Sequence, residues 1–151
     1  MQTPSDIKHN NAVSLLEADH QVVSVLFKKY EKATDNSDKK ELVSKICKEL
    51  TLHAQVEEEI FYPQFKQALN DTELIPEATV EHSTLKDLIA QVEGKKPDGE
   101  MFDAKIKVMS EYVRHHVKEE ETEMFPKAKK SKMDLEKIGM QIAARKAELQ
   151  K

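Results

Sequence analysis

Tryptophan is missing from this 151-residue chain, and glycine, proline and cysteine are scarce, at three, five and one. So little glycine and proline leaves too few turns for an all-β fold. The lone cysteine, Cys47, excludes an internal disulfide and any C-x-x-C metal or redox motif. Beside Ile46 it reads as a small core residue. No apolar run approaches the roughly 18 residues of a membrane span. The N-terminal MQTPSDIKHNN has no apolar signal core. A basic excess is lacking too: the net charge is -4, whereas a nucleic-acid partner requires a basic patch. These absences lead us to expect a cytoplasmic protein with neither membrane nor nucleic acid as partner.

What is present is charge on a helical period. Charged residues make up 34 % of the chain, a composition that favours long helices with solvated faces. The apolar residues recur three and four apart, as on the inner seam of a bundle helix. A first helix is expected from residue 5 or 6 to 32, with its stripe at Val13, Leu16, His20, Val23, Phe27 and Tyr30. A second begins at a capping box of Asp38 and Glu41 and carries Leu42, Ile46, Leu50, His53, Glu57 and Phe61. Pro63 is expected to kink or end it near Phe61. Residues 64–75 should form a short helix or irregular link, broken at Asn70-Asp71. A third helix starts around Pro76 and presents Ala78 or Thr79, His82, Leu85, Ile89 and Val92. After the loop at 94–99, a fourth presents Phe102, Ile106, Met109, Val113, His116, Glu120 and Met124, until Pro126 breaks it. A further helix, about 133–150, carries Leu135, Ile138, Ile142 and Leu149 in a basic segment. That segment reads as a solvated face or as a cover packed on the bundle or a second subunit. The expected fold is all-α: an up-down-up-down four-helix bundle over about 5–130 with an additional short C-terminal helix, within one domain of 1–151.

The two halves repeat. His53 to Pro63 and His116 to Pro126 are both ten residues, with Glu57-Glu58 aligned to Glu120-Glu121 and Tyr62 to Phe125. Upstream, Asp19-His20 aligns with Glu81-His82. The intervals from His20 to His53 and from His82 to His116 are 33 and 34 residues. Short loops make neighbouring helices antiparallel, so at roughly 1.5 Å per residue the four histidines fall at similar heights.

Polar groups on an inner seam cost several kcal/mol each if unpaired. Six of them, His20, His53, Glu57, His82, His116 and Glu120, sit in seam phase. A metal ion is expected to compensate them, a metal-free polar network being the alternative, and imidazole with carboxylate suits iron, manganese or zinc. Two glutamates can bridge a metal pair, with two histidines on each ion. His115 with Glu119 has the same spacing but lies about 100° round the helix. His9 lies upstream of the stripe and is expected to be exposed. Glu58, Glu59, Glu119 and Glu121 read as solvated, and Tyr30, Tyr62 and Tyr112 as packing residues that also have hydroxyls to offer a bound ligand. Glu17 is offered as a partner for the second nitrogen of His20. A ferritin-like pattern needs Glu-x-x-His on two helices; Glu17 precedes His20, but Thr79 stands before His82. There is no H-E-x-x-H of a zinc protease.

The segments ADH at 18–20, HAQVEEEIFYP at 53–63, VEH at 80–82 and HHVKEEETEMFP at 115–126 resemble the hemerythrin HHE cation-binding family over about residues 7–130. That resemblance implies a four-helix bundle holding two non-haem iron ions with an oxo or hydroxo bridge, manganese or zinc being able to substitute. The matching ligands are the six residues above. Oxygen-carrying hemerythrins add a fifth histidine four residues from the first on helix 3, where this chain has Ala78 and Lys86. They also carry an aspartate near the end of the helix-4 motif, where this chain has a glutamate. The departure points away from simple oxygen carriage. It favours binding of O2, peroxide or NO for sensing, storage or redox defence, with a di-iron oxidoreductase or an iron-storage bundle as alternatives. We expect a small diatomic ligand or peroxide as partner, no catalytic residue beyond the metal ligands, and room for a homodimer.

Overall fold

The computed structural model describes residues 11–151. The expected first-helix start at residue 5 or 6, and His9, lie outside them. Helix α1 (Ala12–Lys32) is capped by Asn11, whose side chain accepts from the Ser14 N–H at 2.9 Å. Helix α2 (Asn36–Val56) starts earlier than the capping box suggested, because Asp35 takes the N-cap position and accepts from the Ser37 N–H. Asp38 becomes a first-turn acid that complements the helix dipole.

Pro63 does not end the second helix, nor does Pro126 end the fourth. α2 runs through one π-helical turn, Glu57–Phe61, into α3 (Tyr62–Leu69). Helix α5 (Glu100–Glu119) likewise runs through Glu120–Met124 into α6 (Phe125–Lys130). In each widened turn the bond closes five residues back: Tyr62 N–H donates to the Glu57 carbonyl and Phe125 N–H to that of Glu120. A proline inside a regular helix collides with the carbonyl four residues before it and leaves that carbonyl unpaired. The wider turn gives the ring room at the start of the next segment, so the chain continues instead of breaking.

Asn70 in the left-handed region, φ 51°, then stops α3. Asp71 accepts from the Leu74 and Ile75 N–H groups at 3.1 and 2.7 Å and starts α4 (Leu74–Val92), with Pro76 inside its first turn. Helix α7 (Leu135–Leu149) is capped by Asp134.

α1 pairs with α2 and α4 with α5, giving the all-helical four-helix bundle. α7 lies across α1 and α2, which settles the basic segment as a cover rather than a free face. Two apolar clusters fill the interior. One, toward the hairpin loops, includes Phe27, Ile46, Ile89, Phe102 and Met109. The other, toward the opposite end, includes Leu16, Phe61, Phe65, Phe125 and Ile142 of α7. At about 1.5–3 kcal/mol for each large side chain fully buried, these clusters carry the fold. Cys47 is buried among the first, which pushes its thiol up to about 11, and it serves as core. At the loop end the Tyr30 hydroxyl donates to Asp103 at 2.5 Å and Lys39 joins the same carboxylate. Among the described residues no helix is long and apolar enough to cross a membrane.

Candidate metal centre

Between the two apolar clusters lies a polar layer built from all four bundle helices. His20 of α1, His53 of α2, His82 of α4 and His116 of α5 are each no more than 7 % exposed; Glu57 and Glu120, at the first residues of the two π turns, are 0 % and 1 %. The structure brings all six sequence-selected residues to one depth. Donor atoms of His20, His53 and Glu120 lie within 4.8 Å of one another, and so do those of Glu57, His82 and His116.

Every Nε2 points inward. His20 Nε2 is 3.0 Å from Glu120 Oε1, and His53 and His82 Nε2 are 3.2 and 3.3 Å from Glu57 Oε1. His116 Nε2 is 3.5 Å from Glu120 Oε2. Each glutamate therefore reaches a histidine of both halves, the placement a bridging carboxylate needs.

Every Nδ1 points outward to another carboxylate. His53 meets Asp19 at 2.8 Å and His116 meets Glu81 at 2.6 Å. His20 meets Glu121 at 3.1 Å, and His82 lies 3.8 Å from Glu58. Such partners fix the ring orientation and the basicity of a metal-binding imidazole. Glu58 and Glu121 are thus not merely solvated, and Glu121, not Glu17, serves His20. The signal was in the aligned pairs Asp19-His20 with Glu81-His82 and Glu57-Glu58 with Glu120-Glu121. Each outer carboxylate is the chain neighbour of an inner residue, yet it backs a ring on a different helix.

Tyr62, one of three tyrosines read from the sequence as packing residues with a hydroxyl to offer, is the one that joins the polar layer. Its buried hydroxyl sits at the centre of the layer, 2.7 Å from Glu120 Oε2, 3.2 Å from Glu57 Oε1 and His82 Nε2, and 3.3 Å from His116 Nε2. A residue five positions after Glu57 would sit about 140° round a regular helix. The π turn brings it back to the inner face. Its repeat counterpart Phe125 stacks on the His20 ring at 5.9 Å.

The electrostatics are those of a site shaped for positive charge. Burial opposes the imidazolium of His53, but the Glu57 charge and the Asp19 bond hold it well above the usual histidine range. Burial opposes that of His116 too, yet bonds to Glu120 and Glu81 raise it to about 10. Burial opposes the Glu120 carboxylate, but its bonds to Glu57, His116 and His20 hold it well below the usual range. Burial and the charges of Glu57 and Glu120 keep Tyr62 protonated. Even so, His53 Nε2, Glu57 Oε2 and His82 Nδ1 are buried without a hydrogen bond. Two of these three atoms face the interior of the layer, where a cation would satisfy them.

A cavity of about 20 Å³ adjoins the four imidazoles on the loop side, walled by Val23, Leu50, Leu85 and Val113. Roughly 10–15 Å³ suffices for one water-sized guest, so a diatomic molecule fits and a metabolite does not. A groove between α1 and α5, lined by Ser24, Lys28 and Arg114, shares His20, Val23 and Val113 with it and opens to solvent.

Fold and site together define a cation-binding helical bundle. The chain belongs to the hemerythrin HHE cation-binding domain family, whose model matches residues 11–128. A crystal structure of a hemerythrin HHE cation-binding domain-containing protein from Mycobacterium kansasii superposes with a TM-score of 0.79 at 26 % identity, covering 91 % of this chain and 86 % of that one. A DNA nickase from Nostoc sp. is 29 % identical over 121 residues, which is 80 % of this chain and 34 % of the nickase. The chain spans about a third of the length of that curated relative.

Proposed function

We propose that the protein is a non-haem di-iron protein that binds dioxygen, peroxide or nitric oxide for sensing, storage or redox defence. The observation that carries this reading is the convergence of four Nε2 atoms and two buried carboxylates beside an apolar cavity of one-diatomic size. His20 and His53 would hold one ion, His82 and His116 the other, with Glu57 and Glu120 shared and Tyr62 Oη within reach of the second. Once bound, the metal pair supplies Lewis acidity and reversible electron transfer. The chain's own contribution is orientation and exclusion. Asp19, Glu81 and Glu121 hold three of the rings, the valine and leucine wall lines the cavity, and Tyr62 holds a proton at Oη beside the inner donors.

That proton favours a second reading, a di-iron oxidoreductase acting on peroxide, because a positioned phenol can serve as a general acid. Metal analysis with optical spectroscopy tests the first reading: about two irons per chain are expected by the ligand count, with a near-ultraviolet charge-transfer band that shifts on adding nitric oxide or peroxide. A protein that holds no iron, or whose spectrum ignores both ligands, overturns it. Steady-state peroxide consumption separates the second reading from the first.

A further inference from the structure

Outside the polar layer, one more group of metal-binding side chains comes together. His115, Glu119 and Glu81 place donor atoms within 4.8 Å of one another on the outer face of α4 and α5. His115 Nε2 is 3.3 Å from Glu119 Oε1 and 4.0 Å from Glu81 Oε2. The His115 side chain is 64 % exposed, so solvent cations reach it, whereas that of Glu81 is only 11 % exposed. Glu77, one turn before Glu81, adds a third carboxylate against Glu119. The cluster thus holds one imidazole and three acids, an excess of negative charge.

The internal repeat shows how far this face has diverged from its counterpart. The residue before His53 is Leu52, where His115 precedes His116. Val56 matches Glu119 and Leu15 matches Glu77. Leu52 and Val56 are buried, and Val56 and Leu15 pack in the cluster that contains Ile138 and Ile142 of α7. On one half the equivalent face is apolar and covered; on the other it is open and carries the ligand types of a divalent-cation site.

Glu81 also joins the surface group to the interior. Its Oε1 binds His116 Nδ1 at 2.6 Å while its Oε2 faces His115. We propose that His115, Glu119 and Glu81 form a third, weaker divalent-cation site at the surface, through which the buried pair is loaded. The site itself stands on these residues alone; its loading role rests on the di-iron reading above.

The test is anaerobic equilibrium dialysis of the metal-free full chain against ferrous iron, with stopped-flow measurement of uptake. Wild type is expected to hold two tight ions and a third weaker one. His115→Ala and Glu119→Gln, both at solvent-reached positions, should keep the two and lose the third, while Glu41→Gln, an acid of an exposed ion pair elsewhere, keeps all three. Uptake in the two site variants should slow by about tenfold, the low end of what electrostatic focusing gives. A wild type with no third ion, or a third ion that survives both substitutions, overturns the site. Loss of the third ion with unchanged uptake overturns the loading role. Absence of the two tight ions from every protein is the separate failure of the di-iron reading.

Discussion

The α1–α2 half and the α4–α5 half of the layer carry the same donors in different settings. Around His20 and His53 the chain places Phe125, the cover of α7 and a lysine: Lys146 Nζ meets Asp19 Oδ1 at 2.5 Å, and Asp19 in turn holds His53. Around His82 and His116 it places Tyr62 and an open acidic face, and Glu81 meets His115 where Asp19 meets Lys146. Repetition has kept the inner donors alike while the surroundings diverged. One half is covered by α7 and backed by a cation; the other has a hydroxyl inside and an open acidic face outside. The two ions would therefore differ in ease of loading and in which of them meets a ligand.

Removing what the halves share should have the largest effect. Glu57→Ala or Glu120→Ala should lose iron from both positions, weakening binding by more than the roughly 100-fold that loss of an outer partner costs. Two full-occupancy irons in either variant, by metal analysis, would contradict bridging. Making the halves alike comes next. Tyr62→Phe should leave about two irons in place, since the six inner donors remain, and slow peroxide consumption by about 100-fold, the low end for a positioned acid. Phe125→Tyr tests the converse, and an unchanged rate in Tyr62→Phe would remove the hydroxyl from the chemistry.

Stripping the lysine is a smaller change. Lys146→Met should weaken only the His20–His53 position, by about tenfold, so that a chelator removes one iron well before the other. Equal loss of both would show that the cation behind Asp19 does not distinguish them.

The pH dependence should be smallest, and it has opposite signs with and without metal. In the metal-free chain the His116 pKa is raised to about 10, so its stabilising imidazolium is fully present below the unfolded value near 6.5 and is lost as pH rises through about 10. The melting temperature of the metal-free protein should fall by several degrees between pH 7 and 10. Loading requires neutral imidazole, so it releases protons, and occupancy should fall below roughly pH 6. Undiminished occupancy at pH 4 would count against histidine ligation.

Much of this was legible in the chain. The seam positions of Val13 through Tyr30 and of Phe102 through Met124 are buried as their spacing required. The duplicated His-x-x-x-Glu marked the layer. Pro126 misled, and Pro63 did so where it was read as an end rather than a kink, because a helix rule that assumes regular turns stops at proline, whereas a π turn absorbs the ring. The same turn hid Tyr62, which a regular helix would have rotated away from the glutamate it meets. The C-terminal segment read as a solvated basic face or as a cover, and nothing local to it showed that Lys146 would find Asp19.

A repeat of three and four residues is enough to place six metal-seeking groups on inner seams, because on a helix that spacing keeps a single face turned one way. Antiparallel pairing then brings them to one level. Which carboxylate backs which imidazole had to await the packed bundle. Chain neighbours stand about 100° apart on a helix, so the acid beside each inner residue faces the next helix rather than its own neighbour's ring. Asp19 beside His20 therefore serves His53, and Glu121 beside Glu120 serves His20, through contacts that exist only once the helices are side by side.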